Sequence, residues 1–410
     1  MKHPFSTALS LASLFLTVGT YSCHKAVIDA PAPKNEAIQF AGETTTSTAE
    51  PNFQKLADTL AFRLKGKCTG YSLVVSYKGA YKTTRAGGFS RTSADAAARA
   101  FTMYDKFNIA SVSKTITATA LMKQIMEMPG GVNNVDELIW PYLPAHWVKG
   151  PNIKGITFRQ LLNHTSGIVY DKTPNNNNNG DDYQTLKTLV AAGVVIANKV
   201  PSYNNRNFAL MRLLIPAIAK YNIVAISSGT TGPILTALEN AQAIQFANAY
   251  KDYCTINIFN KLNSTAAQPV DCVSKEANPS LSYPFPYNFT KGLNLANDNS
   301  LIAGAQGWVM NTIQVNDFFT TLNYTQTLLP YGVAKFMRDN LFGYDNSGTT
   351  NDNIKWYWKN GIYDYTINGV SGSYRSLIIG FSDDIQVTMM TNSPLNLQNV
   401  AILGHQDWYQ

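Results

Sequence analysis

The chain has 410 residues, 45 % of them hydrophobic, enough to bury a sizeable core in one large domain or two modest ones. Only 14 % are charged and the formal net charge is +7, yet no Lys/Arg run or aromatic–basic interleaving marks a nucleic-acid surface. The surplus is read as an effect on solubility and on the company of anionic envelope polymers or membrane surfaces, and nucleic acid is excluded as a partner.

Residues 1–22 read as an export signal. Lys2 and His3 form a basic start, and the apolar stretch Ala8 to Val18 is too short to span a bilayer. Thr20-Tyr-Ser22 leads into Cys23, which sits where a bacterial lipoprotein carries its lipidated cysteine, although Thr20 stands where an aliphatic residue is usual. Ordinary signal cleavage with Cys23 as a bystander is the alternative. The first reading gives an exported protein held to the membrane by a lipid anchor at the bacterial cell envelope. Residues 23–52 are polar, without hydrophobic period, and suit a flexible tether; 53–410 then form the folded domain.

Within that domain Phe53, Leu56, Leu60 and Leu64 make a helical stripe over Phe53–Lys65. Cys68 follows, then Tyr71–Tyr77, a Lys-Gly-Ala turn and Tyr81–Gly87, which read as a hairpin. Ser111–Met126 has no Gly or Pro and is rich in Ala, Ile, Leu and Met, which predicts a buried helix. Polar Pro174–Gly180, with five consecutive asparagines, reads as an exposed loop. Helices are predicted over Asp182–Ala197, Asn207–Lys220 and Pro233–Lys251. Cys254 and Cys272 flank one compact segment and are the favoured disulfide pair in an exported chain, with Cys68 left odd; spacing alone does not fix the pairing among the three. None of Cys68, Cys254 and Cys272 lies in a C-x-x-C or Cys/His arrangement, so no metal site is expected, and no cofactor is implied. Ser376–Phe381, a Ser-Asp-Asp turn and Ile385–Met390 form a second strand–turn–strand. Strands at both ends with helices between predict an α+β fold. One antiparallel sheet is expected from about 53–110 and 355–410, flanked by helices, with a mostly helical lobe over about 111–354.

Two constellations carry chemistry. Ser111-Val-Ser-Lys114 opens the buried helix, placing hydroxyl and amine on one face about a turn apart, as a nucleophilic serine needs. Pro201-Ser-Tyr203-Asn-Asn205 precedes a helix, and a phenol held there beside lysine ammoniums can take up the serine proton, while the amide orients the lysine or a substrate carbonyl. A second Tyr-x-Asn, Tyr344-Asp-Asn346, lies in a Gly/Asp/Asn-rich stretch and reads as a turn.

Ser111–Lys114 and Tyr203–Asn205 resemble the first two motifs of the serine β-lactamase-related family, which includes class C β-lactamases, D-Ala-D-Ala carboxypeptidases, D-aminopeptidases and some esterases. Ile156–Gly167, ending in His-Thr-Ser-Gly, is similar to a stretch the family carries before its tyrosine motif, and Ala303–Trp308 to its Gly-Gly turn. The resemblance implies a β-lactamase/transpeptidase-like fold and a serine hydrolase with Ser111, Lys114 and Tyr203 as catalytic residues. It would act through an acyl-enzyme on a small-molecule or peptide substrate: a D-amino-acid peptide, a β-lactam or a small ester.

The family's third motif, Lys-Thr-Gly or His-x-Gly, is aligned by counting back without gaps from Ser373-Tyr-Arg-Ser376. That count places it on Ile367-Asn368-Gly369, with Asn368, Gly369 and Val370 as substrate-binding positions beside Asn205. The oxyanion is then expected between the Ser111 and Val370 N–H groups. Ile367 is no cation, so the count leaves Arg375 or Lys359 to compensate. It also motivates a second reading, a catalytically impaired protein that binds envelope peptides without turnover. His164 is expected to be a structural hydrogen-bonding residue. A Ser-His-Asp hydrolase would want a G-x-S-x-G elbow, and none occurs.

Overall fold

The computed structural model describes residues 51–168, 180–265, 269–288 and 290–409. The export signal, Cys23, nearly all of the tether and Pro174–Asn179 lie outside the described residues.

The amphipathic stripe forms α1 (Phe53–Leu64), capped by the Asn52 side chain, which accepts from Lys55 N–H at 3.0 Å. β1 (Gly70–Tyr77) turns into β2 (Ala80–Arg91) through Lys78 and Gly79, at φ 49° and 75°, the left-handed pair that a two-residue hairpin with matched twist requires. Short β3 (Arg99–Ala100) extends this edge, and β4 (Phe107–Asn108) leads into α2 (Ser113–Glu127). The helical lobe follows as α3 (Phe158–Leu162), α4 (Tyr183–Ala192), α5 (Asn205–Ile218) and α6 (Gly232–Asn257). β5 (Val309–Met310) pairs with β4, and α7 (Thr312–Tyr324) and α8 (Tyr331–Asp339) return the chain to the sheet. β6 (Asn346–Thr349), β7 (Lys355–Ile367), β8 (Val370–Phe381), β9 (Ile385–Thr391) and α9 (Leu397–Tyr409) complete it.

The large sheet runs β3-β2-β1-β9-β8-β7-β6, with antiparallel pairing throughout. The two predicted strand pairs therefore meet at the β1–β9 seam, where Tyr71 faces Thr391 and Tyr77 faces Ile385. Alternation along the strands divides the core. Leu73, Val75, Leu377, Ile379, Phe381, Val387 and Met389 pack against α1 and α9 on one face. The other face carries Ile378 and Met390 into the larger core built around α2, α5 and α7. Helix α2 is buried along nearly its whole length, and its threonines satisfy their hydroxyls there: Thr115 donates to Gly343 O at 2.7 Å and Thr117 to Gly304 O at 2.6 Å.

Three expectations change. The helix predicted over Asp182–Ala197 stops at Ala192, because Gly193 adopts φ 82°. Two strands, β5 and β6, fall inside the stretch read as helical. Cys254 and Cys272 are free buried thiols, as is the half-buried Cys68, so the expected disulfide is absent. Flanking one segment does not bring two Cβ atoms into bonding geometry, and each buried thiol serves here as a small apolar side chain.

Candidate active site

β4 ends beside the lobe with Ile109 N–H donating to Trp308 O at 2.9 Å and Ala110 N–H to the Asn108 side chain at 2.9 Å. Ala110 is held at φ 49°, an uncommon left-handed conformation for alanine and a strained one of the kind that clusters at functional sites. That bend turns the chain into a 3-10 turn over Ala110–Val112, from which α2 starts, so Ser111 stands at the mouth of the helix and Lys114 in its first turn.

The Lys114 side chain runs inward and is completely buried. Its three ammonium donors have three acceptors: Ser111 Oγ at 3.0 Å, Asn205 Oδ1 at 2.8 Å and Ala305 O at 2.7 Å. Asn205 is the first residue of α5, capped by Asn204 through a bond from Arg206 N–H at 3.0 Å. Just ahead of it Tyr203 donates to Ser111 Oγ at 2.8 Å. Tyr203 is held from behind by the His164 ring, with centroids 4.6 Å apart. His164 Nδ1 accepts from Asn204 N–H at 3.2 Å, so this histidine shapes the tyrosine loop. Burial, with Lys114 and Lys359 adding to it, pushes the imidazole down to about 3, which keeps it neutral. Ser111, Lys114, Tyr203 and Asn205 thus converge.

The third expected segment does not join them. Ile367-Asn368-Gly369-Val370 forms the β7–β8 turn, where Asn368 and Gly369 take φ 51° and 78° and Ile367 is exposed. The residue that meets Tyr203 is Lys359, whose Nζ donates to Tyr203 OH at 3.3 Å and lies 4.8 Å from its ring centre. Two residues on, Gly361 packs against the bend before Ser111: a Cβ there would stand 2.2 Å from both Ile109 O and Ser376 Oγ. Glycine is required by that approach. Six residues at about 3.3 Å each separate Gly361 from Ile367, roughly 20 Å of strand. The Lys-x-Gly triplet Lys359-Asn360-Gly361 therefore lies beside Tyr203 and the bend before Ser111, whereas Asn368, Gly369 and Val370, expected there as substrate-binding positions, lie at the far turn of the hairpin.

Lys359 is itself buried and ion-paired with Asp345, whose other oxygen accepts from Asn360 N–H at 3.0 Å. That last bond shows that Asn360 turns its N–H to the open edge of β7. Along a strand these directions alternate, so Ile362 N–H points along the same edge. Val370, the expected second arm of an oxyanion cradle, lies instead at the far turn, paired with Ile367.

The charges form a graded set. Burial pushes Lys114 below the ordinary lysine range, an effect that Tyr203 opposes and Lys359 reinforces. Burial acts on Lys359 in the same sense, but Tyr203 and Asp345 outweigh it and raise that ammonium, keeping it charged. Burial would raise the Tyr203 phenol, yet Lys114 and Lys359 together bring it down to about 8. Although the tyrosine as a whole is 53 % exposed, its phenol oxygen is held against Ser111 and Lys359, where the two cations favour the phenolate. The second Tyr-x-Asn tyrosine, Tyr344, is buried against Tyr357, and that burial raises its phenol.

Asp345 escapes sequence reasoning, and Lys359 is reached there only as one of two cations able to compensate for Ile367. Lys-x-Gly was visible at 359–361, but a gap-free count fixes a hairpin length that the chain does not have. Asp345 sits inside the Tyr344–Asn346 stretch read only as a turn. Among the described residues no group of three or more His, Cys, Asp or Glu is placed to hold a metal ion.

The family model described as Beta-lactamase matches residues 50–408. Among solved structures, the chain is similar to a penicillin-binding protein homologue from Pyrococcus abyssi, at 14 % identity and TM-score 0.62, over 87 % of this chain and 77 % of that one. It is similar to a D-stereospecific amidohydrolase from Streptomyces at 17 % identity and TM-score 0.57, over 85 % and 97 %. A D-amino acid amidase from Ochrobactrum anthropi aligns at 15 % identity and TM-score 0.59, over 87 % and 99 %.

Proposed function

Because the chain belongs to the beta-lactamase family, we propose that it is a serine hydrolase working through an acyl-enzyme at Ser111 on an amide or ester carbonyl. The observation that carries this reading is Ser111 Oγ lying 2.8 Å from Tyr203 OH and 3.0 Å from Lys114 Nζ. Tyr203, as phenolate, takes the Ser111 proton while Oγ bonds to the substrate carbonyl carbon. The carbonyl oxygen becomes an oxyanion held by the Ser111 and Ile362 N–H groups. Collapse breaks the bond to the amine or alcohol, which leaves with the proton from Tyr203. A water then gives its proton to Tyr203 and attacks the acyl carbon; collapse of that intermediate breaks the bond to Ser111 Oγ, which takes the proton back from Tyr203 and restores the phenolate. Lys114 and Lys359 stabilise the phenolate throughout.

The binding-without-turnover reading rested on a missing third-motif cation, and Lys359 removes that ground. The amidohydrolase and amidase among the structural relatives support an amide or ester substrate. We also propose that the protein is exported and anchored through Cys23. An alkyl fluorophosphonate should label the protein covalently at Ser111, and labelling should be lost in Ser111→Ala. A wild-type protein that neither labels nor hydrolyses a nitrophenyl ester above the Ser111→Ala background overturns the hydrolase reading.

A further inference from the structure

Two cations stand within two residues of Gly361 or of its cross-strand partner Ser376: Lys359 on β7 and Arg375 on β8. Each is already matched to a carboxylate of this chain. Arg375 faces away from the lobe, in register with Ile362, and donates to both oxygens of Asp364 at 2.6 and 3.2 Å. Lys359 is the one aimed at Tyr203, and its side chain is only 2 % exposed. Of its three donors, one goes to Asp345 and one to Tyr203. A substrate carboxylate approaching this ammonium would meet the Asp345 charge beside it and would have to displace a partner whose side chain is only 14 % exposed.

We propose that Asp345 is a specificity residue, which withholds Lys359 from substrate carboxylates and turns the site toward leaving groups that carry no charge beside the scissile bond. Carboxamides and neutral esters are then the substrate class; peptides and depsipeptides ending in a free carboxylate next to that bond are disfavoured. This rests on the serine hydrolase reading above. Position 345 acts by occupying the cation, not by touching the reacting atoms. Its removal therefore shifts the balance between two substrates differing only in that charge. Any change it makes in Tyr203 acts on both substrates and cancels in the ratio.

The test uses two acyl glycolate esters, identical except that one ends in a carboxylate and the other in the carboxamide. The wild-type kcat/KM should favour the carboxamide at least roughly tenfold, the lower end of what a charge-assisted hydrogen bond is worth. Asp345→Asn, and Asp345→Ser as a second variant, should move the ratio toward the carboxylate by roughly tenfold to hundredfold, mainly through KM. A wild-type enzyme that is indifferent or prefers the carboxylate overturns the proposal, whether or not the variants fold. So does an unchanged ratio in both variants. Fluorophosphonate labelling of the wild type separates the two readings: labelled protein with the wrong ratio sinks only the role of Asp345, while unlabelled, inactive protein sinks both.

Discussion

Tyr203 lies at the centre of the proposed chemistry, and its perturbation yields a number. An ordinary tyrosine near 10 is about one part in a thousand phenolate at pH 7; brought down to about 8, it is roughly one part in ten. The two lysines thus enlarge the base population about a hundredfold. For a neutral nitrophenyl ester, kcat/KM should rise about tenfold per pH unit below pH 8 and level off above it, because that profile reports the free enzyme's base. Tyr203→Phe should cut kcat/KM by ~10²–10⁴-fold and abolish the acid limb. Lys359→Met removes one of the two ammoniums and leaves the Asp345 charge unopposed, so the midpoint should move upward. Stopped-flow acylation between pH 5 and 10 measures all three. An acid limb that survives in Tyr203→Phe, or a Lys359→Met midpoint that stays or falls, would refute the assignment of Tyr203 as base.

Three further outcomes are expected. Gly361→Ala forces a methyl against Ile109 O and Ser376 Oγ; overpacking of this kind costs about 1–3 kcal/mol, so the urea midpoint and the Ser111 labelling rate should both drop. Burial, opposed by Arg206, Lys114 and Arg212, raises Asp181 from 3.8 to about 6. Between those values the native state keeps a proton that the unfolded chain has lost, so this group's contribution to stability falls as pH rises through that window, by about 3 kcal/mol at 1.36 kcal/mol per unit. Urea unfolding at pH 4.5 and 6.5 should show that slope in the wild type and a flatter one in Asp181→Asn; equal slopes would argue against a protonated Asp181. Cys23→Ser should shift the protein from the membrane to the soluble fraction on cell fractionation, and unchanged partitioning would count against the lipid anchor.

Local order is what the sequence by itself determined. The stripe Phe53–Leu64, the Lys78-Gly79 turn, the Gly- and Pro-free run after Ser111 and the Tyr203–Asn205 loop ahead of α5 each specify their element over a few residues. There, side-chain period and backbone preference act without help. Pairing the Ser111 and Tyr203 motifs also came from the sequence, through their order along the chain. The third motif was decided only by tertiary structure. Lys359 reaches Tyr203 across 156 residues, and Gly361 is placed by lying opposite Ser376 in the β7–β8 pair. Cross-strand register is set by hydrogen bonding and packing at the point of contact, whereas the count between partners grows with every residue added to the turn end. The same physics left Cys254 and Cys272 unbonded and brought Asp345 from a turn-like stretch onto Lys359. Sequence spacing carries no information on distances that the folded sheet and its packed lobe alone impose.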